Sequence, residues 1–418
     1  MRAGTAAERP RSEWRSGWTL VLAAAVGLGA GTIHYHSLGV MIVPLEQAMG
    51  WPRRDISAGL LITSIATIFF VFAAGAIADR IGARRVGVAG LVSYAIALVV
   101  IGLSGPGLGS WYLAWGFLAV VHGMASGVIW SLAIVSRFSR HRGLALALTL
   151  SGSGICVGLV PPFALLLIEI WGWRAAYFGL GAVIILVALP LVLAFFRDAH
   201  DLARSASGRA TVRDFSEDAR TNKTGLSWRA ALAGRHVWQL AASFFLIAIA
   251  VSTLLVHLQP MLRDTGMTGR TAAFVASVVG PSLIVGRLVT GALLDRLRTP
   301  LVAGTVAVFP AVCCLMMLGF DGSVVVAVLI AILLGVATGA EGDVLAFIVA
   351  RYLGAKNYGA LFGIVGGIFG LGMGLAPVLA GMSYDELGSY SLLLQINVVC
   401  SLLGAGMLYA MGRAPDYG

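Results

Sequence analysis

Along this chain, long apolar runs alternate with short breaks rich in charge, glycine or proline. The runs fall near residues 18–43, 57–78, 86–104, 110–136, 143–168, 175–196, 236–260, 271–293, 300–319, 323–350, 358–383 and 389–411. Nearly all of them reach the roughly 20 residues that a helix needs to cross a bilayer. They are apolar around the whole circumference, which suits helices in lipid rather than amphipathic helices on a soluble core. Twelve transmembrane helices are therefore expected. The first run follows Arg2, Arg9, Arg11 and Arg15 but is far longer than the apolar part of a cleaved signal, so it is expected to stay as a helix.

Sliding the chain against itself by 216 residues exposes a repeat. Pro44 falls on Pro260, Gly50 on Gly266, Gly75 on Gly291, Asp79 on Asp295, Arg80 on Arg296, Gly123 on Gly339 and Gly143 on Gly359. Gly154 then meets Gly370, Gly158 meets Gly374, Pro161 meets Pro377 and Gly172 meets Gly388. An offset of six helices and a loop keeps both copies in the same orientation, as parallel repeats about an axis along the membrane normal, with a cavity between them. The expected organisation is a tail at 1–17, a six-helix half at 18–196, a polar linker at 197–235, a second half at 236–411 and a tail at 412–418.

Composition agrees with this pattern. Of 418 residues, 59% are hydrophobic and only 11% charged, against about a quarter charged in soluble chains. The net charge of +10 needs no nucleic-acid partner, because 23 of the 29 Lys and Arg lie on the side that holds both tails and the linker. By the positive-inside rule that side is cytoplasmic, and the basic face suits anionic lipid. Cys156, Cys313, Cys314 and Cys400 all sit in apolar runs and read as small buried hydrophobes. Lys223 and Lys356 follow no phosphate-binding glycine run, and no zinc or nucleophile signature appears, so an enzyme is not expected. No cofactor or metal is expected either.

The loop after the second run reads Gly75-Ala-Ile-Ala-Asp79-Arg80-Ile-Gly82-Ala-Arg84-Arg85, with an echo at Gly291, Asp295 and Arg296. Here the chain resembles the major facilitator superfamily over essentially its whole length. The resemblance implies an all-α polytopic membrane protein, twelve helices in two pseudo-symmetric halves, working as a monomeric transporter. Asp79 ends its own helix, where the dipole disfavours an anion, so a nearby Arg or another helix's N-terminus is expected as its partner. Gly75, Asp79, Arg80, Arg84, Gly291, Asp295 and Arg296 are read as a conformational gate.

Two stretches narrow the resemblance. Tyr35-His36-Ser37-Leu38-Gly39, with Pro44, Gly50-Trp51 and Arg53, is similar to the end of span 1 in monocarboxylate transporters and oxalate/formate antiporters. Arg140-His-Arg142-Gly143, with Ser151-Gly152 and Gly154, is similar to the start of their span 5. Oxalate/formate antiporters carry a second cation on span 11, and 358–383 contains none. Animal-type monocarboxylate transporters have an Asp one turn before the span 8 Arg, a position held here by Leu283.

The repeat also separates scaffold from additions. Arg287 stands opposite Val71, Glu341 opposite Ala125 and Asp343 opposite Gly127. Arg287 lies nine residues before Arg296, roughly 13 Å along a helix. An Arg at such depth costs about 2.5–3.5 kcal/mol on insertion scales, so it is read either as paired with span 10 or as a substrate carboxylate site. Relatives place an anion-binding Arg in this part of span 8. Glu341 and Asp343 are level with it but point about 200° apart, so only one can reach the cavity. A carboxylate held away from water favours its neutral form and can exchange a proton. Glu341 is preferred as the coupling residue and Asp343 is the alternative.

His34, Tyr35 and His36 take three successive directions, so at least one faces inward; His34 and His122 are candidate proton relays. Tyr35, His36, Ser151 and Thr338 are candidate substrate contacts. Trp130, opposite Ala346, is an interface anchor or a substrate platform. His257 is expected in contact with water, and Trp51, Trp111, Trp171 and Trp173 are expected in an aromatic belt.

The expected function is proton-coupled uptake of a monocarboxylate or similar small organic anion in a plasma or bacterial inner membrane, with both termini cytoplasmic and the proton gradient as energy source. The alternatives are a proton-coupled exporter of cationic or amphiphilic compounds, with Glu341 and Asp343 as the cation site, and an organic-anion exchanger.

Overall fold

A computed structural model of the chain describes residues 13–138, 141–198, 232–354, 356–412 and 414–415. The centre of the expected linker and most of both tails lie outside these residues. The first span comprises α1 (Glu13–Gly31) and α2 (Ile33–Met49), bent at Thr32; α3 (Arg53–Ile81) and α4 (Ala83–Gly102) follow. The fourth span is α5 (Leu108–Ala125) and α6 (Gly127–Arg137), broken at Ser126, whose backbone is extended. The break frees the Ala125 carbonyl, and Trp130 Nε1 donates to it at 3.0 Å. Next come α7 (Arg142–Leu150), α8 (Gly152–Val183), a π-helical turn at Ile184–Ala188 and α9 (Leu189–Phe195). The second half holds α10 (Arg235–Asp264), α11 (Gly269–Leu294), α12 (Thr299–Leu318), α13 (Val324–Leu353), α14 (Tyr358–Leu387) and α15 (Ser391–Tyr409).

Among the described residues, 11 helical stretches are long and apolar enough to cross a membrane, and one of them, Arg142–Phe195, has 54 residues. That is more than twice what a crossing needs. Gly172 breaks it, with φ 84° and ψ 172°, and the Leu167 side chain abuts Gly179, which a straight helix would hold about 18 Å away. The stretch is a hairpin, so the helices make twelve crossings. Gly172 and its repeat mate Gly388 both have positive φ, as do Gly50 and Gly266. These loop glycines recur because only glycine adopts that backbone without strain.

Each half has its own apolar core, with few residues shared between the two. The halves join mainly through α3 with α14, α8 with α11, and α2 with α10. Glycines let these helices approach: Gly280 meets the Gly154 and Gly158 backbones, Gly39 meets Val256, and Gly374 meets Ser64 and Leu60. On the Arg53 side, Gly381 of α14 meets the Arg53 and Arg54 backbone of α3. At the opposite face α6 and α7 pack mainly against their own half, and Asp79, Arg80, Asp295 and Arg296 are exposed. The structure is closed at the Arg53 face.

The expected aromatic belt needs correction. Trp51, Trp111 and Trp173 are at most 5% exposed, because Trp51 packs on Trp111 and each of these two indole N–H groups has a backbone acceptor. Only Trp171 of the four projects outward.

Within the second half, α11 and α13 cross closely through Gly286, Gly335 and Gly339. Gly339→Leu is expected to drive a side chain into the Leu283 carbonyl and destabilise by about 1–3 kcal/mol or more. Gly359→Ala, where no atom lies within 4 Å, should be neutral in thermal unfolding of the purified protein.

Candidate functional site

The α11–α13 crossing fixes the position of the buried charges. Gly335, Gly339 and Asp343 lie on one stripe of α13, at four-residue spacing, facing α11. On α11, Ile284 meets Gly154 of the other half and Leu283 meets Gly339; Arg287, one turn further, therefore sits at the seam between the halves. Arg287 Nε lies 3.2 Å from Asp343 Oδ2, with side chains 10% and 27% exposed. Among the described residues, neither Nε nor Nη1 has a hydrogen-bond acceptor of good geometry. The pair is an ion pair with unused donors.

Glu341 is turned the other way. It is 5% exposed and lines a small apolar cavity with Phe244 and Val251 of α10, Ala307 and Pro310 of α12, and Leu408 of α15. Its Oε1 has no hydrogen-bond partner. The 200° separation expected from sequence is thus resolved with Asp343 beside Arg287 and Glu341 inside the second half.

The first half carries a polar cluster at the bend of span 1. The His34 backbone N–H donates to the Tyr94 hydroxyl at 3.0 Å, and that hydroxyl lies 2.6 Å from His34 Nδ1. The His34 ring meets His122 edge-on at 4.9 Å, and His122 Nδ1 lies 3.2 Å from Thr67 Oγ1. Two expected relay residues are therefore brought together. Tyr35 instead joins the halves. Its hydroxyl is 2.6 Å from Ser252 Oγ, and Ser252 donates its own hydrogen to the Met373 carbonyl at 2.6 Å, so Tyr35 is the donor. His36 faces a small chamber between α2, α8, α10 and α11 together with Gln259, whose Nε2 is buried without a partner.

Other expected contacts lie elsewhere. Trp130 is fully buried, with its ring against Gly27, Gly87 and Phe196, so it is neither at a membrane interface nor at the seam. Ser151 and Thr338 each bond a carbonyl one turn back in their own helix. Asp79 and Asp295 have no partner among the described residues, in contrast to the expectation for Asp79. Gly75 and Gly291 have little packed on them, whereas the Arg84 backbone N–H is capped by Asp198 at 3.1 Å. His257 was expected in contact with water and is fully buried, because α14 covers it: Nε2 donates to the Pro377 carbonyl at 2.9 Å.

Sequence reasoning passed over Tyr94, Ser252 and Gln259. Ser252 and Gln259 were visible as polar positions in span 7 whose repeat mates, His36 and Val43, differ from them. Tyr94 carries no such mark, because a tyrosine in an apolar run is unremarkable until its hydroxyl finds a partner. No cluster of metal-ligating residues occurs among the described residues.

Two six-helix halves meet at a buried charged seam, and the family and relatives that the chain matches make it a membrane transport protein rather than an enzyme. The Major Facilitator Superfamily profile matches residues 19–343, and the chain belongs to that family. Monocarboxylate transporter 11 of Homo sapiens is 30% identical over 431 residues, covering 95% of this chain and 84% of that protein. Monocarboxylate transporter 12 of Homo sapiens is 25% identical over 303 residues, 66% of this chain; the match spans only 57% of that protein's length. Among solved structures, a bacterial homologue of the human lysosomal transporter Spinster, in an inward-facing and unoccupied conformation, superposes with a TM-score of 0.66. It shares 16% identity, with 96% of this chain and 94% of that one covered, and shows the common fold.

Tyr94→Phe removes the hydroxyl that serves both His34 nitrogens. A loss of about 1–3 kcal/mol is expected, read as a lower unfolding temperature that His34→Phe in the same chain does not lower further.

Proposed function

We propose that this protein takes up a monocarboxylate or similar small organic anion together with a proton, by alternating access and without a bound cofactor. The observation that carries this reading is the Arg287 guanidinium, held at the seam beside one carboxylate with donors unused. An incoming carboxylate suits those donors, since guanidinium and carboxylate form paired, charge-assisted hydrogen bonds. As the anion engages Arg287, Asp343 loses its counter-charge in a largely dry place. A carboxylate left there is better neutralised by a proton than kept ionised. The loaded seam is then neutral overall, and the two halves can rock about it.

In this reading Asp343 takes the role that the resemblance to animal-type monocarboxylate transporters gives to an acid on span 8, where this chain has Leu283. A dicarboxylate is disfavoured, because its second charge would find no cation on α14. Glu341 remains a second acid able to hold a proton, and the His34–His122 pair is a candidate relay on the first half. The curated relatives named as monocarboxylate transporters support the substrate class. The excess of Lys and Arg beside both termini supports cytoplasmic ends in a plasma or bacterial inner membrane. A monomer suffices, since both halves of the seam come from one chain.

In proteoliposomes under an inward proton gradient, uptake of a small monocarboxylate is expected and Arg287→Ala should abolish it; full uptake by that variant would sink the reading. Asp343→Asn should lose pH-driven accumulation while retaining exchange of the anion. Proton-driven efflux of a cationic compound, with no carboxylate uptake, would support an exporter instead.

A further inference from the structure

The closed face is held by a charge network centred on Arg53, the first residue of α3, which is 2% exposed. Its Nη1 and Nη2 donate to the Asp264 carboxylate at 2.6 and 3.0 Å, and its Nε donates to Glu46 at 3.1 Å. Nη1 also reaches the Tyr390 hydroxyl at 2.7 Å, and the guanidinium lies 3.6 Å over the Tyr384 ring. Glu46 ends α2, Asp264 ends α10, Tyr384 belongs to α14 and Tyr390 precedes α15. One side chain therefore ties the first half to three elements of the second. The Asp385 carboxylate of α14 accepts from the backbone N–H groups of Arg53 and Arg54 at 3.0 and 2.9 Å, so an acid of one half caps a helix of the other.

The network continues inward. Having accepted from Arg53, the Tyr390 hydroxyl is left to donate to His257 Nδ1 at 3.2 Å, and His257 passes its own N–H to Pro377. Ser57 Oγ of α3 lies 3.3 Å from the same imidazole.

The repeat supplies an internal control. With the offset of 216, Arg54 falls on Arg270 and Asp385 falls on Glu169. Arg270 and Glu169 pair at 3.0 Å across the α8–α11 joint, with side chains 83% and 35% exposed. Both joints thus carry an Arg and an acid at equivalent positions, although the Arg54 side chain turns to Glu386 and Asp385 bonds the backbone. Arg53, Glu46 and Asp264 have no such counterparts: their repeat mates are Gly269, Leu262 and Ala48. The buried part of the network is present at one joint only.

We propose that Arg53 is the lock that keeps the transporter closed on this face, and that the symmetry-related Arg270–Glu169 pair adds little to closure. Arg53 is released only when several charge-assisted bonds break together, whereas a single exposed pair is weak and screened by salt. Opening to this face lets water solvate Arg53, Glu46, Asp264 and Asp385 separately, which makes the transition feasible in each cycle. The inference rests on the transporter assignment alone and holds whatever the substrate is.

The test is thiol accessibility of Ala276→Cys, which lines the small chamber between the halves, in the full chain with its four native cysteines replaced by alanine. A membrane-impermeant maleimide is applied to the Arg53 face of sealed vesicles. Adding Arg53→Gln should raise the labelling rate by about tenfold or more, since the equilibrium shifts toward the state open on this face. Adding Arg270→Gln should change it by less than about twofold. Unchanged labelling in Arg53→Gln, or an equal rise in Arg270→Gln, overturns the proposal. If Arg53→Gln does not yield monodisperse protein, Asp264→Asn, which leaves Arg53 bonded to Glu46 and Tyr390, should still raise the rate measurably, and no rise overturns the proposal.

Discussion

A polar group inside a bilayer has no water to turn to, so each one must be satisfied by the protein or be held ready for a ligand. The rest of this structure follows from how that constraint is met at Arg287. The guanidinium sits where α11 crosses α13, and the crossing is close because Gly286, Gly335 and Gly339 present no side chains there. The same glycine stripe carries Asp343 to the seam, giving the cation its counter-charge. Glycine packing and charge pairing are therefore one device. Without the close crossing, the Arg would be a buried charge without compensation.

The two halves share a scaffold and differ in their polar groups. Loop glycines, prolines and the Asp-Arg steps recur at one offset, because both halves need the same turns and helix ends. Several buried polar groups at the seam and at the closed face are departures from the repeat. Arg287, Asp343, Gln259 and Arg53 all have apolar or glycine mates. The two halves thus share their packing and differ in the charges they bury.

Membership of the Major Facilitator Superfamily accounts for the fold. Leu283 packs against Gly339, and the carboxylate beside Arg287 comes from α13, one crossing helix away. A cation at the seam needs an acid within reach, and helices that cross this closely let either one supply it.

The membrane class, the helical bundle in two halves and the charges within spans 8 and 10 were legible in the linear chain. Hydrophobic run length, charge scarcity and a fixed repeat offset are local or periodic properties, and the bilayer makes them decisive. Even the opposition of Glu341 and Asp343 followed from helical spacing. Which of them meets Arg287 did not, because that depends on the side from which α11 crosses α13. Nor did the burial of Trp130, Trp111 and His257, since a residue at the end of an apolar run looks the same whether lipid, water or another helix covers it. Arg53 is the clearest case. In sequence it is one of five basic residues scattered over the loops opposite the tails; in three dimensions it is the junction of both halves, because its partners are up to 337 residues away and only tertiary packing brings them to one point.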